Sequence, residues 1–223
     1  MGNFLICIGI VIVVSSILII KAFSSSSSSG IGEIINYTIF AGLRGEQTVN
    51  RELLRLGGKY IVLNDLMLRT AYGTCQIDHI VLSPYGIFVV ETKNISGKIT
   101  GNDEWKEWYW VGKAFNKTIY NPVMQNFRHI DVLSDTLGLS ADNFISIIVF
   151  TGKAHIRVET SHAVMFLGQL VPFIKLFRYE YLSDSTIIQY RDKLQKCNIT
   201  DPSEREKHVT YAKKIKSNGW KRS

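Results

Sequence analysis

The sequence predicts an α/β protein, a mixed sheet flanked by helices and preceded by one transmembrane helix. Three observations predict it. Short apolar runs bounded by turn residues recur between stretches of helical spacing. Two of these runs, Ile77–Leu82 and Ile87–Val90, flank Ser83-Pro84-Tyr85-Gly86 and read as a β-hairpin. Phe4–Ile20 is an uncharged run of seventeen residues, about the least that spans a ~30 Å hydrocarbon core at ~1.5 Å per residue.

The chain has 223 residues, 46% of them hydrophobic, enough for one sizeable core plus an appendage. Its net charge is +7 and its pI is near 9.3, a balance that suits nucleic acid, anionic lipid or the cytoplasmic flank of a membrane segment. Cys7, Cys75 and Cys197 provide no paired framework and no CxxC, which excludes a disulfide scaffold and places the main domain in a reducing setting. No phosphate loop, Cys/His zinc spacing or internal repeat is present.

At the N-terminus, no Lys or Arg precedes Phe4–Ile20 and no small-x-small cleavage site follows it, so an anchor is favoured over a signal peptide. Lys21 and the basic remainder put the N-terminus outside and the domain in the cytoplasm, as a single-pass protein of the cell membrane. Ser24–Ser29 reads as a flexible linker. Ile31–Phe40 is apolar but holds Glu33 and Asn36, too short and polar to span.

Gly42–Leu56 reads as a helix, with Glu46, Val49, Leu53 and Leu56 on one stripe and Gly57-Gly58 as its stop. A strand is expected over Tyr60–Leu68, with Asn64 and Asp65 as structural polar residues. Arg69–Gly73 then forms a turn. Asn94–Gly101 reads as loop, and Glu104–Tyr120 as a hairpin turning near Gly112-Lys113. Its Trp105, Trp108 and Trp110 are read mainly as core, with Lys113 and Lys117 as phosphate contacts. Asn121-Pro122 caps and opens a helix to Leu137, stopped by Gly138. Strands follow over Asn143–Thr151 and Thr160–Phe166, then a short helix over Leu167–Phe177 interrupted by Pro172. A helix runs from Ser183 or Asp184 to Cys197, and another from Asp201 to about Ser217 carries Lys207, Lys213, Lys214 and Lys216.

The central hairpin carries three charges that a half-buried strand seldom tolerates unpaired: Asp78, Glu91 and Lys93. Glu91 and Lys93 share a face. If Ser83 faces Gly86, Asp78 lies opposite Glu91. If Gly86 forms a bulge, Asp78 faces Thr92. The first register gives the charges a shared purpose and is preferred. Gln76 is then on the Asp78 face, and His79 points the other way as a packed residue. Two opposed carboxylates call for a cation, and oxygen ligands select Mg²⁺ or Mn²⁺. A neighbouring Lys orients a water or offsets phosphoryl charge, which together equips metal-assisted phosphodiester hydrolysis. The competing reading is a salt-bridged surface strand.

Asp78, a gap of twelve residues and then Glu91-Thr92-Lys93 resembles the D…ExK signature of the PD-(D/E)XK nuclease superfamily. The surrounding words run in order: Gly42-Leu43-Arg44-Gly45-Glu46, Val62-Leu63-Asn64-Asp65, Gln76-Ile77-Asp78-His79-Ile80, Gly86 through Lys93, then Asn121-Pro122, Gln125-Asn126 and His129. Together, over roughly residues 38–155, they resemble the NERD (nuclease-related) domain. The resemblance implies a restriction-endonuclease-like fold and nuclease chemistry. It makes Glu46 the early acidic residue, so that Glu46, Asp78 and Glu91 would ligate the metal. Gln125 resembles the Gln of the Gln-x-x-x-Tyr helix of RecB-like nucleases, with His129 where the Tyr would stand.

The expected organisation is an anchor at 1–22, a linker at 23–37, a nuclease-like domain at 38–155 and a packed extension at 156–223. The expected function is metal-dependent cleavage of nucleic acid, DNA favoured, at a membrane. Asp78, Glu91, Lys93, Glu46 and Gln125 would act in catalysis, and Gln76, Lys113, Lys117 and His129 would touch substrate. The alternatives are a tethered binding module without chemistry and a membrane-associated scaffold.

Overall fold

Among the described residues, the apolar runs and helix signals resolve into nine strands and four helices, followed by a helical stretch at 202–208. The computed structural model describes residues 30–113, 115–208 and 210, with side chains from residue 41 on. In chain order these are α1 (Gly30–Leu53), β1 (Ile61–Thr70), β2 (Gly73–Ser83), β3 (Gly86–Lys93), β4 (Gly97–Asn102), β5 (Glu107–Val111) and β6 (Asn116–Tyr120). Then come α2 (Pro122–Leu137), β7 (Phe144–Phe150), β8 (Ala154–Glu159), β9 (Ala163–Phe166), α3 (Leu167–Ile174) and α4 (Asp184–Cys197). Residues 38–198 form one compact unit; the described chain outside it groups separately.

The strands make two sheets, ordered β1-β2-β3-β7-β9 and β6-β5-β4-β8. In the first, β1, β2 and β3 pair antiparallel, while β3–β7 and β7–β9 are parallel. This is the mixed sheet flanked by helices that the sequence predicts. On one face Leu63, Ile80, Leu82, Ile87 and Val89 pack against Ile130, Leu133 and Leu137 of α2 and Ile187 and Leu194 of α4. On the other, Val81, Phe88, Val90, Ile147 and Val149 pack against Val49 and Leu53 of α1 and Leu170, Val171 and Ile174 of α3. Each fully buried aliphatic side chain stabilises by about 2 kcal/mol.

Several expectations shift. Helix α1 begins at Gly30, not Gly42; Gly42 and Gly45 lie inside it. Gly45 is there for closeness: a Cβ would meet Asn94 Cβ at 2.6 Å and Thr151 Oγ1 at 3.1 Å. The stretch after Lys93 is not a loop but strand β4. Gly101, the last residue of that expected loop, is small because the Trp108 indole lies 2.2 Å from where its Cβ would be. Strand β8 was not foreseen, although Ala154, Ile156 and Val158 alternate with exposed His155, Arg157 and Glu159. The β5–β6 hairpin holds, and so does the core reading of Trp108; Trp105 is exposed and packs edge-on against Tyr109. Trp108 is fully buried, with its Nε1 donating to Asn102 O, and Trp110 packs on Phe115.

Helix α2 runs as expected. Asn121 Oδ1 accepts from the Val123 and Met124 N–H groups, and Gly138, at φ 73°, donates its N–H to Ser134 O. No helix among the described residues is long and apolar enough to cross a membrane. The Phe4–Ile20 run, the Ser24–Ser29 linker and Lys213, Lys214 and Lys216 lie outside the described residues.

Candidate active site

The β2–β3 hairpin pairs Ser83 with Gly86 and continues in step to His79 with Val90. This is the register preferred above. The ladder stops there, immediately before Asp78 and Glu91. Were it to continue, the Thr92 N–H would meet a β2 carbonyl. It donates instead to Asp78 Oδ2, at 2.8 Å. The strands therefore part at the two carboxylates, and a side chain takes over a backbone role.

A second irregularity lies on the other side of β2. Strands β1 and β2 keep one register from Ile61↔Leu82 to Thr70↔Gly73, but the pair Asp65–Asp78 is missing from it. Asp65 stands at φ 51°, the sole non-glycine residue with positive φ among those described. Side-chain alternation slips at this point. Leu63, Ile80 and Leu82 share a core with Leu66, Leu68 and Ile77, which strict alternation would put on opposite faces. Asp78 thus sits at a seam between the faces. The same slip undoes the inference that Gln76 lies beside Asp78: its Nε2 donates to Asp65 Oδ1 at 2.7 Å. His79 is buried as expected, with Nδ1 2.7 Å from Asn64 Oδ1, and burial depresses its pKa to about 3.

Strand β3 brings the opposite charges together. Glu91 is only 2% exposed. Lys93 Nζ lies 2.6 Å from Glu91 Oε1 and 2.9 Å from Gln125 Oε1. Helix α2 thus delivers Gln125, and one turn on it delivers His129. His129 Nδ1 is 3.5 Å from Glu91 Oε2, but the pair is not ionic. Burial holds the imidazole neutral against the pull of the carboxylate, and neither atom has a hydrogen-bond partner in the protein. Thr92 Oγ1 is another buried polar atom without one.

Two asparagines fix α2 in place. Asn126 Nδ2 donates to Val89 O and Ser146 Oγ, each at 2.8 Å, pinning the helix onto β3 and β7. Asn121 Nδ2 donates to Trp105 O at 2.8 Å, tying the helix start to the β4–β5 loop. On the opposite side, Asn94 Nδ2 donates to Ala41 O at 2.6 Å, and with Gly45 it draws α1 against the end of β3. Glu46 follows Gly45, and its charge reaches Asp78. Asp78 is raised well above the usual carboxylate range by burial first, then by Glu91 and Glu46.

Asn126 was quoted in the sequence only as part of a motif; an Asn between two inward-facing helix positions was the available signal. Arg128 was missed altogether. It is exposed on α2 and stacks over the Tyr120 ring at 5.1 Å. Cys75, whose thiol burial pushes up to about 11, feels both Arg128 and the site carboxylates. Lys113 and Lys117 belong to the β5–β6 hairpin of the second sheet, where Lys117 Nζ lies 5.1 Å over Phe115.

The donor set is oxygen-rich and repulsive by itself, which fits a hard divalent cation. The buried, unpartnered Glu91 Oε2 provides an oxygen that Lys93 leaves unused. Among the described residues, however, no three His, Cys, Asp or Glu side chains form a group that could hold a metal ion.

A mixed α/β sheet with an acid–acid–lysine cluster where two strands part defines a nuclease-like class of protein. The nuclease-related domain model matches residues 41–151, and the chain belongs to that family. It is also 33% identical over 178 residues to an uncharacterized protein of Bacillus anthracis, an alignment that covers 76% of this chain and 82% of that one. No solved structure matches.

Proposed function

We propose that this chain is a membrane-anchored, metal-dependent nuclease of the PD-(D/E)XK superfamily that hydrolyses nucleic-acid phosphodiester bonds, DNA favoured. The observation that carries the reading is the Lys93 ammonium bridging Glu91 and Gln125 beside an Asp78 carboxylate of raised pKa. Asp78 and Glu91 would hold Mg²⁺ or Mn²⁺, with Glu46 acting through water. The ion, when bound, would activate a water and polarise the phosphoryl oxygen. Lys93, held by Glu91 and Gln125, would orient the nucleophile and offset charge on the phosphate. Gln125 fixes the ammonium and positions phosphate or water. Water oxygen would attack phosphorus as the P–O ester bond breaks; Glu91 Oε2, which has no hydrogen-bond partner in the protein, would take the water proton, and the departing alkoxide would take a proton from solvent water. His129, Lys113 and Lys117 are the further substrate contacts proposed. The anchor is Phe4–Ile20, with the domain on the cytoplasmic side of the cell membrane.

The test is incubation of purified full-length protein with single- and double-stranded DNA and RNA plus Mg²⁺, Mn²⁺ or chelator. Metal-dependent cleavage lost in Asp78→Asn supports the reading; cleavage unchanged in that variant ends it. A second reading, a tethered binding module without chemistry, is favoured by the lack of a three-residue metal group among the described residues. Salt-sensitive, metal-independent affinity for DNA without turnover would select it.

A further inference from the structure

Between α3 and α4, residues 175–181 read Lys-Leu-Phe-Arg-Tyr-Glu-Tyr. The segment is clamped rather than loose. Phe177 packs edge-on against Phe88, 5.1 Å between centroids, and against Phe173. The N–H groups of Tyr181 and Leu182 both donate to Pro84 O, at 2.9 and 3.2 Å. Glu180 Oε1 holds Lys59 Nζ at 2.6 Å, and that ammonium also donates to Tyr85 OH. With these points fixed, other side chains are held outward: Leu176 is 68% exposed and Tyr179 81%. The loop is pinned, yet it presents a Leu and a Tyr to water. Lys175 and Arg178 alternate with them, and neither is ion-paired among the described residues. Lys59, Lys175 and Arg178 also line an open recess of about 450 Å³ together with Tyr60, Tyr85 and Phe177.

We propose that this surface docks on an anionic phospholipid bilayer, Leu176 and Tyr179 entering the interface while Lys175 and Arg178 meet headgroup phosphates. Aliphatic and Tyr side chains interleaved with cations are the composition of a membrane-interfacial contact. Nucleic acid explains less of it. An exposed Leu offers no face for a base to stack on, and the patch adjoins the β2–β3 turn, five residues of β3 and so roughly 17 Å from Glu91. Docking here would leave the opposite end of the hairpin, with Asp78 and Glu91, directed toward solution. The inference deepens the membrane part of the proposed function and is independent of the cleavage chemistry.

The test reconstitutes the full chain in nanodiscs of phosphatidylcholine alone or mixed with phosphatidylglycerol. Amide hydrogen exchange is followed over residues 175–181. Copurification with neutral discs reads the N-terminal anchor by itself. Exchange in the segment is expected to slow only in anionic discs. Replacing Lys175→Gln and Arg178→Gln together should weaken that protection by about thirtyfold, the effect of removing two cations from an anionic surface. Thermal unfolding of the double variant should match the parent, since both side chains are exposed. Equal exchange in the two discs, or full protection in the double variant, overturns the docking whichever way the anchor falls. The same protection produced by inorganic phosphate or by single-stranded DNA, without discs, overturns the lipid assignment.

Discussion

The Asp78 carboxylate accepts the Thr92 backbone N–H at 2.8 Å, where an unbroken hairpin would place a main-chain carbonyl. This substitution of side chain for backbone opens the sheet beside Glu91. It also holds Asp78 in a position where its negative charge is disfavoured by burial and by two neighbouring acids.

Neutralising that charge should therefore stabilise the metal-free protein. A folded pKa raised above the unfolded value means that deprotonation costs stability as pH rises through it. Asp78→Asn is expected to unfold at a higher temperature than the parent at pH 7. Mg²⁺ or Mn²⁺ should raise the melting temperature of the parent and not that of the variant. An equal ion-induced shift in both would remove Asp78 from the metal site.

Lys93 supports a carboxylate that has almost no contact with water. Lys93→Met should reduce cleavage at least a hundredfold and lower stability by about 3 kcal/mol, since a buried acid left without its partner is costly. Adding Glu91→Gln should recover most of the stability and none of the activity. Denaturant unfolding and cleavage assays on both variants check this. A double variant no more stable than Lys93→Met would mean that the pair is not coupled.

Gly45→Ala tests how α1 reaches the site. The new methyl would stand 2.6 Å from Asn94 Cβ, so the helix must move away from β3. Overpacking of this kind costs about 1–3 kcal/mol. Because Glu46 is the next residue, cleavage should fall more than the loss of stability explains, and the Asn94–Ala41 contact should loosen. Amide exchange at 41–46 reads the second effect. Activity unchanged in a folded Gly45→Ala protein would detach Glu46 from the chemistry.

His79 and His129 are held neutral by burial, with pKa values below that of the unfolded chain. Their contribution is fully present above about pH 6.5 and is lost as pH falls, for His79 by about 1.4 kcal/mol per pH unit. Asp78 acts in the opposite direction, so the measurement belongs in the Asp78→Asn background. Stability from denaturant titrations should decline from pH 6.5 to pH 5 and decline less when His79→Asn is added. A flat profile would mean that these imidazoles titrate normally.

Much of this was legible from the chain. The hairpin and its turn were legible, and of the two registers left open the one preferred for bringing the charges together is the one observed, with Ser83 paired to Gly86. Asn121 and Gly138 bounded α2 by local capping alone. The spacing of Asp78, Glu91 and Lys93, with Gln125 on a helix to follow, named the residues that meet. Glycine misled where it serves packing: Gly101 accepts an indole, although it reads as loop in a one-dimensional pattern.

By itself, the sequence determined the α/β class, the central hairpin, the bounds of α2 and the identity of the charged residues, since turn chemistry and apolar periodicity are local properties. Tertiary structure alone decided which oxygen faces which group. The Asp65 slip, which detaches Gln76 from Asp78, follows from two strands adjusting to each other across the sheet. The Asn126 and Asn94 clamps join residues tens of positions apart. Such contacts depend on where packed layers come to rest, and no window of neighbouring residues carries that information.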